Sequence, residues 1–244
     1  MATTATAAPA VNGTAAHPAF DSIPDVIEAF ARGEFVIVLD SPSRENEGDL
    51  IIAASALTPA KASFMIRYTS GYICAPLTAA RAKQLALPQM VVDNADPNRT
   101  AYAVSVDAST AHGISTGISA ADRSVTCRLL ADENSSADDF RRPGHILPLQ
   151  ARDGGVRQRR GHTEAATELC RLAKLPEVGV ICELITDGDE REGVPERVGG
   201  GMMRRDECLA FGKRWGIKVC TIEDLVRYVE DTEGKLEGVV GVDY

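Results

Sequence analysis

The sequence has no apolar run approaching the ~20 residues that a helix needs to cross a bilayer. It has no excess of basic charge: the net charge is −9 and the isoelectric point about 5.0. That balance argues against a general nucleic-acid or anionic-membrane binder, while leaving room for local basic clusters that hold phosphate. The six cysteines (Cys74, Cys127, Cys170, Cys182, Cys208 and Cys220) include no C-x-x-C pair. Scattered through apolar patterns, they speak against a zinc site and fit free thiols in a reducing, cytoplasmic compartment. Residues 1–19 lack the basic start and apolar core of a secretory signal, and the arginines of a transit peptide. Rich in Ala and Thr, they read as a disordered tail. Neither an internal repeat nor a linker divides the rest, so residues 20–244 are expected to form a single domain. At 44% hydrophobic, it can bury one sizeable core.

Six residues, Arg44-Glu45-Asn46-Glu47-Gly48-Asp49, stand between two apolar runs of strand length, 35–40 and 50–54. They are expected to form a turn between two buried strands, with Gly48 supplying unusual backbone angles. Three carboxylates and an arginine so placed repel and desolvate one another unless something compensates. Oxygen ligands of this kind suit a divalent cation such as Mg²⁺, and the arginine suits an anionic substrate. A plain solvated acidic turn would carry the same residues.

Elsewhere helix and strand patterns mix. Ser22, Pro24 and Asp25 mark a helix start, with Val26, Ile27 and Phe30 inward and Gly33 as its stop. Thr58-Pro59 opens a helix to about Thr69, residues 72–77 read as a strand, and Thr78 caps a short helix. Residues 91–99 form a polar loop and 101–107 alternate like a strand. The small-residue loop 112–119 opens a helix with Ser119 and Asp122 at capping spacing and Val125, Leu129 and Leu130 as its apolar face. Its free N–H groups suit phosphate, although glycines and hydroxyls are also ordinary loop material. Residues 131–143 read as a mobile polar loop before a short strand at 144–149. Thr163 is the expected N-cap of a helix over 165–174, beside Arg157, Arg159 and Arg160; such a corner suits phosphate or carboxylate. A buried strand at 178–185, a charged loop at 187–201, a helix at 205–215, a strand at 217–220 and a helix from Thr221 follow. Hairpin-like pairs mixed with helical crossovers indicate an α+β fold, a mixed β-sheet covered by helices.

Polar groups in apolar company mark candidate chemistry. Glu183 lies inside the apolar run 178–185, where an ionised carboxylate needs a partner or a raised pKa. His145 precedes an apolar strand and serves either as a hydrogen-bonded core group or in proton transfer near neutral pH. His162 sits at a helix start beside arginines, which should keep it neutral and free to ligate a metal. Together these describe Mg²⁺-assisted chemistry on a phosphorylated sugar, without fixing the reaction.

Residues 40–54 (DSPSRENEGDLIIAA), 72–77 (YICAPL), 112–119 (HGISTGIS), 142–145 (RPGH), 160–164 (RGHTE) and 182–184 (CEL) resemble, in order, motifs of the 3,4-dihydroxy-2-butanone 4-phosphate synthase family. The resemblance spans roughly residues 21–230. It implies a lyase of riboflavin biosynthesis that converts D-ribulose 5-phosphate to L-3,4-dihydroxy-2-butanone 4-phosphate and formate. It also implies Mg²⁺, with Mn²⁺ as a substitute, a homodimer with active sites near the subunit interface, and a three-layer α+β fold. Glu45 and His162 would be the metal ligands. Arg44, Glu47 and Asp49 would position the substrate. Arg159, with Arg160 and the Gly161-His162-Thr163 corner, would grip the phosphate, helped by Thr116. His145 and Glu183 would transfer protons, and Cys74 would line the site or pack as a core thiol. The expected partners are the sugar phosphate and a second copy of the chain, with no nucleic acid and no membrane.

The loop 190–201 is longer than in bacterial members of the family. The cysteine-rich zinc segment of a fused GTP cyclohydrolase II domain is missing, so the chain is expected to be monofunctional. The competing readings are another Mg²⁺-dependent pentose-phosphate isomerase or aldolase, and a non-catalytic phosphosugar-binding protein. Formate release separates the first, and turnover the second.

Overall fold

The computed structural model describes residues 19–236, so the expected tail lies outside them apart from Ala19. The elements in chain order are α1 (Ile23–Ala31), β1 (Val36–Leu39), β2 (Gly48–Ala53), α2 (Pro59–Tyr68), β3 (Cys74–Leu77), α3 (Ala79–Gln84), β4 (Val106–Ala108), α4 (Ala120–Ala131), β5 (Phe140–Gln150), α5 (His162–Leu172) and β6 (Gly179–Glu183). Four two-residue strands follow, β7 (Ile185–Thr186), β8 (Asp189–Glu190), β9 (Arg197–Val198) and β10 (Gly201–Met202), then α6 (Arg205–Trp215), β11 (Lys218–Thr221) and α7 (Ile222–Glu233). Hydroxyls start five of the helices: Ser22, Thr58, Thr78, Ser119 and Thr221 each accept the N–H three residues on. Among the described residues no helix is long and apolar enough to cross a membrane.

The main sheet runs β11-β1-β2-β6-β3-β5-β4, with β1–β11 and β3–β5 parallel and the other pairs antiparallel. Strand side chains alternate, so Ile37, Leu50, Ile52 and Val180 face one helical layer, packing with Met65, Leu130 and Phe211 of α2, α4 and α6. Val38, Ile51, Ile181 and Cys74 face the other, where α1, α5 and α7 contribute Phe30, Leu169 and Leu225. Both faces of the central strands are buried, which is why they read as unbroken apolar runs. This is the expected three-layer α+β arrangement with a mixed sheet.

Several local expectations are corrected. Gly48 lies in β2 without a positive φ; its missing side chain admits Cys208, whose Sγ would stand 2.6 Å from a Cβ there. The left-handed residue of the acidic turn is Asn46, at φ 55°. The strand at 101–107 shrinks to β4, preceded by single bridges at Tyr102 and Ala103. The buried face of α4 runs through Ser124, Cys127 and Leu130, with Val125 and Leu129 only half-buried. β5 begins inside the segment read as mobile, and the residues before it are tied down by Arg81, which donates to Leu130 O at 2.9 Å and Ser135 Oγ at 2.6 Å. The loop after β6 folds back on itself, β7 pairing with β10 and β8 with β9.

Register slips between Val106 and Asp107 where β4 meets β5. Gly144 passes so close there that a Cβ would stand 2.0 Å from the Val106 carbonyl carbon. Gly144→Ala should prise β4 from β5 and cost ~2–3 kcal/mol. Urea unfolding measures it, and an unchanged midpoint would contradict the close approach.

Candidate active site

Strand pairing sets Asp49 of β2 opposite Val38 of β1 on one side and Glu183 of β6 on the other. Both acids lie two residues from Ile51 and Ile181, so they share the face covered by α5. His162 is the first residue of α5, and its Nε2 donates to Val38 O at 3.1 Å. That bond turns Nδ1 toward Asp49 Oδ1 at 3.6 Å and Glu45 Oε2 at 3.7 Å. Thr163 is not the N-cap; Gly161 holds that position and Thr163 is buried in the first turn.

Glu45 arrives from the loop between β1 and β2, and Asp40 organises that loop. The Asp40 carboxylate accepts the N–H groups of Glu45 (3.0 Å) and Glu47 (2.9 Å) and the Arg44 guanidinium (2.9 Å). Arg44 also donates to Glu45 Oε2, Asn98 Nδ2 donates to Glu45 Oε1 at 2.6 Å, and Arg204 donates to the Glu45 carbonyl at 3.0 Å.

Burial alone would raise the Glu45 carboxyl, but His162 and the Arg44 charge hold it down at about 2. Burial, reinforced by the neighbouring carboxylates, pushes Asp49 up to about 7 and raises Glu47. Burial would lower His162, yet the Asp49 charge and Glu45 lift it to about 9. Against the expected neutral imidazole, the carboxylates around His162 favour its protonated form. Asp49 Oδ1 is buried with no hydrogen-bond partner. An orphaned carboxylate oxygen beside an imidazole and a second carboxylate fits a divalent cation. Ligand atoms of Asp40, Glu45 and His162 also lie within 4.8 Å of one another. Asp40 is saturated by the loop, leaving Glu45, Asp49 and His162 with free capacity.

A cavity of about 80 Å³ opens on this cluster, lined also by Arg44, Glu47, Cys74, Thr100, Tyr102, Arg159, Thr163 and Glu183. Glu183 is not in a strand interior as expected. It ends β6, half-buried, and accepts Ser70 Oγ at 2.9 Å. Arg159 is buried against Glu164 (2.6 Å) and donates to Asn98 O (3.2 Å) and Thr100 Oγ1 (3.0 Å). Arg160 is exposed and lines a separate cavity of about 360 Å³ with Ser41, Ser43 and Arg205.

Thr116 and His145 do not line the 80 Å³ cavity. Thr116 is exposed, and the loop's donors are taken by Asp122, which accepts Ser115 Oγ (2.8 Å) and Gly117 N (3.0 Å). His145 is exposed on β5, its N–H and Nδ1 meeting the buried Asp107 at 2.9 and 2.7 Å. It lies two strand spacings from Glu183, roughly 10 Å at the backbone. Residues 70–73 run between them, Ser70 N donating to Glu183 O and Leu147 N to Ile73 O. Sequence reasoning does not single out Asp40, Asn98, Thr100, Tyr102 or Asp107. The two aspartates each close a strand-like run, a usable signal; nothing local marks Asn98 or Thr100 in their polar loop.

The family model described as 3,4-dihydroxy-2-butanone 4-phosphate synthase matches residues 24–228. A Pyricularia oryzae protein named 3,4-dihydroxy-2-butanone 4-phosphate synthase is 61% identical over 218 residues, 89% of this chain and 93% of that one. The Mycobacterium tuberculosis protein named riboflavin biosynthesis protein RibBA is 48% identical over 219 residues, 90% of this chain and 49% of that one. A crystal structure of 3,4-dihydroxy-2-butanone 4-phosphate synthase in complex with two magnesium ions matches with a TM-score of 0.87 at 60% identity, covering 89% of this chain and 100% of that one.

The raised pKa values of Asp49 and His162 favour the protonated folded state, so the stability they lend is lost as pH rises through about 7 and about 9. The lowered pKa of Glu45 acts oppositely, its contribution fading as pH falls toward about 2. A cation that takes the place of the His162 proton offsets the alkaline loss. The Mg²⁺-induced rise in melting temperature should therefore be larger near about pH 9 than near about pH 6. Equal rises at both would remove the imidazole from the metal site.

Proposed function

The chain belongs to the 3,4-dihydroxy-2-butanone 4-phosphate synthase family, and we propose that it converts D-ribulose 5-phosphate to L-3,4-dihydroxy-2-butanone 4-phosphate and formate for riboflavin synthesis. The reading rests on one observation above all: a buried carboxylate oxygen of Asp49, without a partner, beside His162 and one strand from Glu183. Glu45 and His162 would hold a divalent cation, Mg²⁺ or Mn²⁺ in its place, which would supply positive charge to the sugar's carbonyl and adjacent hydroxyl oxygens. Asp49 and Glu47 orient the sugar hydroxyls. The α5 start at Gly161, His162 and Thr163, flanked by Arg44, takes the phosphate, while Arg160 faces the neighbouring cavity. Arg159 packs against Gly161, where a Cβ would stand 2.3 Å from its Nη1, and so shapes that corner.

Enolisation, hydroxyl loss, skeletal shift and formate expulsion each move protons at neighbouring carbons. Glu183, at the end of β6, and His145, with its ring held by Asp107, carry those transfers in this reading. The 80 Å³ cavity is below the ~300–1,000 Å³ usual for small-molecule sites. A second copy of the chain, as a homodimer, enlarges it and brings His145 and Thr116 across the interface. Exposed Ile118, two residues from Thr116, and exposed Tyr72 support such a contact. The chain works as a single catalytic domain, and its six free cysteines suit the cytoplasm.

Ribulose 5-phosphate with Mg²⁺ should yield formate and a four-carbon phosphate in equal amounts, stop on EDTA and resume on Mg²⁺ addition. Aldose without formate would point to an isomerase instead. His145→Ala and Glu183→Ala should each fold and lose turnover by ~10²–10⁴-fold. Co-expressed, they should recover roughly a quarter of native activity, since half the dimers are mixed and each has one intact site. No recovery would place both groups in one chain.

A further inference from the structure

We infer that Asn98 is a positioning residue for the cation-binding carboxylate: it occupies Glu45 Oε1 and so fixes Oε2 as the oxygen presented beside His162. The inference rests on the reading of Glu45 as a metal ligand. Asn98 Nδ2 donates to Oε1 at 2.6 Å, while Oε2 stands 3.7 Å from His162 Nδ1. Arg44 also donates to Oε2, but the terminal torsion of a glutamate is broad and nearly two-fold, so with Arg44 as its one side-chain tie the Glu45 carboxylate would pivot about that contact and no longer hold a single tilt toward His162.

Asn98 is itself held on two sides. Its loop closes on itself: Asn94 Nδ2 donates to Thr100 O, Asp96 N to Asn94 Oδ1 and Thr100 N to Asp96 Oδ2, each at 2.8 Å. Arg159 grips the same loop through Asn98 O and Thr100 Oγ1, and the buried Glu164 of α5 fixes Arg159. The start of α5 thus supplies one ligand directly, His162, and aims the other through Arg159 and Asn98. A neutral amide suits this role, because it donates without adding a fifth carboxylate to Glu45, Glu47, Asp49 and Glu183. Partners that orient a ligand in this way typically change metal affinity 10–100-fold.

The test is direct Mn²⁺ binding to the full chain, read from the electron paramagnetic resonance signal of free Mn²⁺, alongside thermal melts without metal. Asn98→Leu keeps the side-chain shape and removes the donor; it should weaken Mn²⁺ binding ~10–100-fold. Asn98→Ala should do the same, and Asn98→Ser, with a shorter donor, should recover part of the loss. A lower melting temperature with unchanged Mn²⁺ affinity in both Asn98→Leu and Asn98→Ala would mean a purely structural role and overturn the inference. Glu45→Gln separates the layers: if it too binds Mn²⁺ normally, the ligand assignment falls as well, whereas loss there with normal binding in the Asn98 variants sinks only the positioning role.

Discussion

Carboxylates crowd a single buried imidazole in this protein, and most of the surrounding structure manages their mutual repulsion. Glu45 and Asp49 approach His162 to within 4 Å, the charges of Glu47 and Glu183 bear on Asp49, and those of Glu45 and Glu183 bear on Glu47. Such a set is unfavourable unless cations and donors answer it. Arg44 and Asn98 answer Glu45, Ser70 answers Glu183, and the proton on His162 answers Asp49 in part. One Asp49 oxygen stays unanswered. That residue of unsatisfied charge fits a divalent cation.

The supports are distributed according to how mobile each group would otherwise be. Asp49 and Glu183 ride on paired central strands, and His162 on a helix pinned to Val38 O, so backbone hydrogen bonds already fix them. Glu45 and Glu47 come from a loop, and Glu45 has the most ties: Asp40 and Arg204 on its backbone, Arg44 and Asn98 on its side chain. Arg204 also stands just before α6, at the far end of the folded-back segment that Glu183 opens. Both ends of that exposed segment therefore return to the acidic loop, and its length is accommodated away from the chemistry.

The architecture was readable because the central strands are apolar on both faces and hydroxyl caps announce the helices. The misreadings fall where local pattern and tertiary role part. β5 begins with Phe140, Arg141, Arg142, Pro143 and Gly144, a polar stretch that pairs with the short β4, so it has no apolar signature. His162 was expected to be neutral because arginines adjoin it in sequence. In space Arg159 is neutralised by Glu164 and Arg160 lies toward a different cavity, while carboxylates from a loop and a strand dominate. Asn98 and Arg159 meet across sixty residues of chain, a pairing that spacing cannot announce.

His145 poses the complementary problem. A proton-transfer group needs a held ring and an open edge. Asp107 provides the first, buried beneath the imidazole and bound to both its ring nitrogen and its N–H. Exposure provides the second. Yet residues 70–73 lie between it and the carboxylate cluster of the same chain. In our reading one chain carries the cation and phosphate machinery and presents an oriented imidazole elsewhere. Such a division would let a lone subunit bind metal without completing the reaction, and would make assembly itself a condition of turnover.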